Sequence, residues 1–410
     1  MSPWGLGIVN FRSSVADFLG KAIRKKHKSG GALVPVPRAQ YRRKTGGLNT
    51  DGLMPSEGYQ GANATPLFVL YNSFMSRLTP ADALDRLRSD DLPSLGANAD
   101  AVTQRLHPGN VRTYNVERNI NYTNVCISRC KFCAFCRNEN DPDAYVLDEP
   151  TLLAKIDETV ELDGRQILLQ GGLHPSLPFE WHENLLRTIK RHYPEVNVHG
   201  FSPTEIVYFA DRFGLSEQTV LERLHNAGLG SLPGGGAEIL VDHVRQIVSP
   251  KKASAERWLN VCRIWHRMGG RGSATMMFGQ LETFEDRVAH LCRIRDLQDE
   301  TGGFTAFIPW TFQPGNTELA EQPKTSSGEY LRFLAVSRLF LDNVPTIQSS
   351  WVTQGLQIGT LGLSFGANDL GSIMIEENVV AAAGTVFRST ENAFCEAIRA
   401  AGYEPKRRGT

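Results

Sequence analysis

Asn119-Ile120-Asn121-Tyr122-Thr123 runs directly into Asn124-Val125-Cys126-Ile127-Ser128-Arg129-Cys130-Lys131-Phe132-Cys133-Ala134-Phe135-Cys136. The first five residues read as a short strand, and the rest places four cysteines within eleven residues of the loop that follows. The same unit recurs along the chain. Further strand-like runs lie at 166–170, 196–201, 229–233, 273–278, 304–309, 346–350 and 362–366. Helix-length stretches at 151–162, 180–192, 216–227, 254–268, 283–300 and 327–341 separate most of them, and a last one spans 389–401. Strands alternating with helices predict parallel βα units. Eight such strands over about 250 residues predict an α/β fold of the (β/α)8, TIM-barrel type.

The unusual residues follow the strands. Gln170-Gly171-Gly172-Leu173-His174-Pro175 follows the second, Ser202-Pro203-Thr204-Glu205 the third, and Pro233-Gly234-Gly235-Gly236-Ala237-Glu238 the fourth. Gly279-Gln280-Leu281-Glu282 follows the fifth and Trp310-Thr311-Phe312-Gln313-Pro314-Gly315-Asn316-Thr317 the sixth. In a barrel these loops converge on the C-terminal face, where barrel enzymes place their chemistry. Gly and polar residues on one rim predict a pocket for an organic substrate.

Composition bounds the alternatives. The chain has 410 residues, 44 basic against 44 acidic, with 41% hydrophobic and 21% charged. That is ordinary globular usage, which excludes a disordered chain, a fibre or a disulfide miniprotein. No apolar run approaches the roughly 18 residues of a membrane helix, so no integral membrane segment is expected. A net charge of zero gives no global attraction to nucleic acid. Seven cysteines, an odd number and mostly clustered, predict a metal site in a reducing compartment, hence the cytoplasm.

Four segments are expected: a basic extension at 1–61, a helical lead-in at 62–110, the barrel at 111–385, and a C-terminal helix and tail at 386–410. Residues 1–61 hold ten Lys/Arg and three Asp/Glu. Trp4, Ile8, Phe11, Val15, Phe18 and Ala22 recur there at helical spacing. That reads as a surface-binding helix, a targeting segment or a poorly ordered tail. In the lead-in, Thr79-Pro80-Ala81-Asp82 reads as an N-cap with Pro in the first turn.

Cys126-x3-Cys130-x2-Cys133 lets three thiolates reach three irons of one [4Fe–4S] cubane from a single loop. The fourth iron stays open, and an open metal position binds a reactant. The amino and carboxylate groups of S-adenosylmethionine suit it. Two other readings use Cys136 as a fourth ligand: a zinc knuckle, as in a nucleic-acid module, or an iron–sulfur electron carrier. Zinc sites usually draw on two separated pairs, and no second pair exists here. Cys136 is expected to be a bystander, and Cys262, Cys292 and Cys395 small core residues.

The cysteine spacing is similar to that of the radical S-adenosylmethionine superfamily. From about residue 68 to 400 the chain resembles one of its families, the cyclic dehypoxanthinyl futalosine synthases of menaquinone biosynthesis. The match is carried by residues 118–126, 170–175, 199–203, 232–240, 274–279, 303–317 and 366–369. Phe307-Ile308-Pro309-Trp310-Thr311-Phe312-Gln313-Pro314 discriminates most against the related aminofutalosine synthases. Cys136 departs from the aromatic expected there, Leu173 from the usual acidic residue, and the 1–61 extension has no counterpart.

The resemblance implies abstraction of a ribosyl C4′ hydrogen of dehypoxanthine futalosine by a 5′-deoxyadenosyl radical. The new radical adds to the benzoate ring, and loss of an electron and a proton completes the spirocycle. It implies Cys126, Cys130 and Cys133 as ligands. Phe132, Gln170, Gly171, Gly172, Ser202 and Glu205 are the candidate cofactor contacts. Glu238 and His174 are the candidate catalytic groups, with Glu282 and Asp369 as further polar contacts. Trp310 and Phe312 either stack on an aromatic substrate or pack. A flavodoxin or ferredoxin is the expected electron donor.

Overall fold

The structure is a computed structural model that describes residues 77–409. The amphipathic run from Trp4 to Ala22 and the first part of the lead-in lie outside the described residues. Helices Pro80–Arg88 and Leu92–Leu106 open the described chain. The first starts as its sequence predicts: Thr79 and Asp82 form a reciprocal capping box with Pro80 in the first turn.

Nine strands follow: β1 (Val111–Asn115), β2 (Glu117–Ile120), β3 (Gln166–Leu169), β4 (Asn197–Gly200), β5 (Gly272–Phe278), β6 (Phe304–Thr311), β7 (Thr346–Ile347), β8 (Asp369–Ser372) and β9 (Glu404–Arg407). Every ladder is parallel. β1 and β2 are one strand broken at Val116. From there the order is β3, β4, the bridged residues Ser231 and Leu232, β5, β6, β7 and β8. The ring closes where β8 pairs with β1 and where the Asn119 N–H donates to the Glu376 carbonyl. This is the expected eight-stranded parallel barrel. Buried side chains of the helices pack against its outside in two apolar clusters.

Strand alternation sorts the side chains. Ile167, Leu169, Val198, Ala274, Met276 and Phe278 point outward into the helical layer. Glu117, Asn119, Gln166, Leu168, Asn197, His199, Ser273, Thr275 and Met277 line the interior instead. The barrel interior is therefore largely polar on one half of its wall.

Four local readings change. Residues 229–233 form only two bridges, because Gly230 and Pro233 interrupt the ladder. The expected strand at 362–366 is a 3₁₀ turn, Gly362–Ser364, and the eighth strand is β8. A short apolar run fits helix and strand alike; Gly366, at φ +97°, turns the chain into β8. The loop that begins Ser202-Pro203-Thr204-Glu205 is the start of helix Pro203–Phe213, capped by Ser202 and Glu205. The last residues are not a plain tail, since β9 pairs with β1 from Val111↔Glu404 to Tyr114↔Arg407.

Candidate active site

The cysteine loop leaves β2 and is fastened at both ends. The Cys126 N–H donates to the Arg137 carbonyl at 3.1 Å and the Ile127 N–H to the Leu173 carbonyl at 3.1 Å. Asn124 accepts from the Tyr145 N–H and donates to the Asp143 carbonyl, so its amide sets the loop's exit. Gly172 lies against the same turn. A Cβ there would meet the Val125 carbonyl carbon at 2.7 Å and the Cys126 Cβ at 2.9 Å. Glycine is required by this close approach.

Cys126, Cys130, Cys133 and Cys136 all line one cavity of about 720 Å³, and all are free thiols. That volume suits an organic ligand. Burial pushes the Cys130 thiol up to about 11. A hydrogen bond with Cys136 brings Cys126 down to about 6, while that bond raises Cys136. Cys136 Sγ also donates to the Cys126 carbonyl at 3.2 Å. Ser128 Oγ lies 3.3 Å from Cys130 Sγ. No three His, Cys, Asp or Glu among the described residues converge as on a single metal ion. Thiols that each bind a different iron of a cubane need not converge. Soft sulfur donors on one loop, opening into a large cavity, fit a [4Fe–4S] cluster with a small-molecule ligand beside it.

The Gln170-Gly171-Gly172 turn faces this loop, and all three residues line the cavity. Glu205 holds the turn from behind. Its Oε1 accepts from the Tyr122 hydroxyl at 2.8 Å and the Gly171 N–H at 3.2 Å. Its Oε2 accepts from the Ser202 N–H and Oγ, both at 2.7 Å. Burial raises the Glu205 pKa, and these donors oppose the shift. Ser202 and Glu205 border the cavity with their polar atoms already engaged with each other.

Across the rim stands the glycine loop after the bridged residues. Buried Arg245 staples it by donating to the Ala237 carbonyl at 2.7 Å and the Ile239 carbonyl at 3.2 Å. Glu238 sits in the left-handed region at φ +37° and lines the cavity. Its Oε1 accepts from Lys252 Nζ at 2.8 Å, and its buried Oε2 has no hydrogen-bond partner. Lys252 lies 5.0 Å from the Phe132 ring centroid. Burial pulls the Lys252 pKa down, but the charges of Cys130 and Glu238 more than offset it and raise it. Sequence reading missed Lys252, which sits in no motif and is set only by the fold.

The other candidates divide. Phe132, Trp310 and Phe312 line the cavity. His174 does not; its Nδ1 accepts from the Ser176 and Leu177 N–H groups and caps that turn. Glu282 is engaged by the Gly279 and Gln280 N–H groups and Arg287, away from the cavity. Asp369 is fully buried, held by Thr113 Oγ1 at 2.5 Å and the Gly371 N–H at 2.8 Å.

The cavity continues down the barrel to a floor that sequence reading did not find. Glu117 there accepts from Gln166 Nε2 at 2.5 Å and Asn115 Nδ2 at 3.0 Å. Asn197 Nδ2 donates to Gln166 Oε1 at 2.7 Å, and His199 Nδ1 lies 2.7 Å from Ser231 Oγ. Burial lowers His199 to about 3 and raises Glu117. Each strand contributes about one such residue, so no local spacing announces them.

Comparisons with known proteins agree with this geometry. Residues 120–293 match the model of the Radical SAM superfamily, and residues 301–410 that of the CofH/MqnC C-terminal region. The chain is 46% identical to the cyclic dehypoxanthine futalosine synthase of Halalkalibacterium halodurans, covering 82% of this chain and 90% of that one. It is 38% identical to the aminodeoxyfutalosine synthase of Streptomyces coelicolor, over 82% and 89% of the two chains. The crystal structure of methylornithine synthase (PylB) shares the fold, with a TM-score of 0.63 at 18% identity over 81% of this chain and 95% of the other. No helix among the described residues is long and apolar enough to cross a membrane. The thiol loop, the closed parallel barrel and these matches together place the chain in the cyclic dehypoxanthine futalosine synthase family of radical S-adenosylmethionine enzymes.

Proposed function

We propose that this chain cyclises dehypoxanthine futalosine to cyclic dehypoxanthinyl futalosine, a step of menaquinone biosynthesis. One observation carries the reading: a single loop presents Cys126, Cys130 and Cys133 to the cavity of a closed barrel whose wall then runs past Trp310 and Phe312. The cofactors are a [4Fe–4S] cluster and S-adenosylmethionine, which together supply a primary carbon radical able to take hydrogen from a ribosyl C–H.

Cys126, Cys130 and Cys133 hold the cluster. Phe132, Gln170, Gly171, Gly172 and Ser202 border the space beside it and orient S-adenosylmethionine, with Glu205 fixing the Gly171 turn. Trp310 and Phe312 give the benzoate ring flat apolar walls and keep water from it. Glu238 is the acceptor for the proton released on ring closure, since its Oε2 is buried without a partner and borders the cavity. His174 has no place in this scheme, because it lies off the cavity with its Nδ1 engaged. A flavodoxin or ferredoxin delivers the electron, and the seven free thiols suit a cytoplasmic enzyme.

The test is product analysis. Reconstituted anaerobically, the protein should convert dehypoxanthine futalosine to a spirocycle with equimolar 5′-deoxyadenosine, read by mass spectrometry. Turnover of an enolpyruvyl-benzoate substrate instead would assign it to the aminodeoxyfutalosine synthases.

A further inference from the structure

The cavity floor is bordered by β9 and the residue that follows it. β9 lies along β1, and the Arg408 N–H donates to the Tyr114 carbonyl at 2.8 Å. This pins the backbone where it delivers the Arg408 side chain to the lumen, and Arg408 lines the cavity with about a third of its side chain open. Its Nε lies 2.8 Å from Asp369 Oδ2. Asp369 is fully buried and already accepts from Thr113 and Gly371. Neither Nη of Arg408 makes a hydrogen bond among the described residues. A guanidinium has five donors in a fork matched to a carboxylate, so the Asp369 contact uses one edge and leaves the other.

One carboxylate, Glu117, lines the floor with Arg408, but Gln166 and Asn115 already engage it, and burial raises its pKa while the Arg408 charge opposes that rise; the remaining groups suit an anion. Gln166, Asn197, Ser231 and His199 border the same floor with amide, hydroxyl and neutral imidazole groups. The two other cations that line the cavity are differently placed. Lys252 is bonded to Glu238 beside Phe132, and Arg271, just before β5, stands at the floor end of the barrel but is exposed. Above the floor the wall turns apolar through Leu168, Met277, Ile308 and Trp310. Gln166, which opens β3, and Gln170, which follows it directly, are four residues apart, about 13 Å at the strand rise. The cavity thus offers thiols, then apolar walls, then a cation, over a length fitting a pentose joined to a benzoate.

Resting on the reaction proposed above, we infer that Arg408 anchors the aromatic carboxylate of the substrate, so that this carboxylate points to the barrel floor, the ring lies along the apolar wall toward Trp310, and the ribosyl end lies under the cysteine loop. Arg408 is then a specificity-determining residue supplied by the segment that directly follows β9.

The experiment compares dehypoxanthine futalosine with its carboxamide analogue on the full-length, cluster-loaded protein. Substitution Arg408→Gln should raise KM for the carboxylate by about 10–100-fold, the worth of hydrogen bonds to a charged group. KM for the carboxamide should change by less than about threefold, iron content should not change, and Arg408→Lys should recover part of the loss. Equal changes for both substrates, or the same effect from Arg271→Gln instead, overturn the assignment. Wild-type protein gives a check free of folding effects: it should bind the carboxamide at least about tenfold more weakly, and equal binding overturns the anchor. Failure of the wild type to bind dehypoxanthine futalosine at all overturns the reaction itself, an outcome distinct from equal binding by wild type and Arg408→Gln.

Discussion

The two ends of the cavity are built in opposite ways. At the rim, Cys126, Cys130, Cys133 and the Gly171-Gly172 turn come from two contiguous stretches, and backbone hydrogen bonds hold them. At the floor, Glu117, Gln166, Asn197, His199 and Arg408 come from four separate segments, and side chains hold one another. The rim is therefore unforgiving of backbone change, whereas the floor can lose a side chain and remain a barrel. Chemistry that needs an inorganic cluster sits where the backbone is stapled, and chemistry that needs only recognition sits where register alone sets it.

The largest expected effect tests the rim. Cys126→Ala, Cys130→Ala and Cys133→Ala should each bring bound iron to background and lower turnover by at least about 10³-fold, since each removes a ligand rather than a contact. Cys136→Ala should keep its iron, because its thiol is a hydrogen-bond donor to the Cys126 carbonyl. Iron analysis of anaerobically prepared protein decides this, and loss of iron from Cys136→Ala alone would make the rim a different site.

Next come two glycines, one at each end. Gly172→Ala forces a Cβ against the backbone of Val125 and the Cys126 Cβ, which cannot swing away. It should cost about 1–3 kcal/mol and part of the bound iron. Gly230→Ala meets the tip of the Asn197 side chain, which can turn aside. It should cost less and leave iron intact. Equal losses in the two variants would remove the contrast between the ends.

The same contrast explains what could be read from the sequence. Cys126-x3-Cys130-x2-Cys133 and the strand–helix alternation are local patterns, so the barrel and its cluster loop were legible. The Ser202–Glu205 pair was visible too, but as polar residues after a strand, although its spacing is that of a capping box. The eighth strand was misplaced because Leu361-Gly362-Leu363-Ser364-Phe365 fits either period. Lys252 and Arg408 were invisible for a different reason: each reaches the cavity by a tertiary path, and nothing within several residues marks it.

Glu205→Gln is the third test, and it works on the joint between rim and core. The carboxylate accepts from two donors at each oxygen. An amide NH₂ in either place leaves one backbone N–H, that of Gly171 or of Ser202, facing a donor, while the Tyr122 or Ser202 hydroxyl must turn round to accept. The loss should be about 2–3 kcal/mol, read as a lower denaturation midpoint with bound iron retained. An unchanged midpoint would mean that the Gly171 turn does not depend on this group.

The smallest expected effect belongs to the floor and is one of pH. Burial holds the His199 imidazole down at about 3, helped by the Arg408 charge, against about 6.5 in an unfolded chain. Between those values the unfolded state binds the extra proton. The His199 contribution to stability is therefore complete above pH 6.5 and is lost as pH falls below it, at about 1.4 kcal/mol per unit. His199 also touches the cavity, and water there would soften the penalty, so about 2 kcal/mol at pH 5 is the upper bound. His199→Gln keeps an amide for Ser231 and cannot charge. Wild type should thus lose up to that much more stability than the variant between pH 7 and pH 5, measured by denaturant titration at each pH. His174 at the rim gives a weaker change, because Glu139, 4.0 Å away, opposes the effect of burial on it. Parallel pH profiles for wild type and His199→Gln would mean a hydrated floor, and an imidazole free to protonate there would put a second cation beside Arg408, weakening the case that one guanidinium alone selects for the carboxylate.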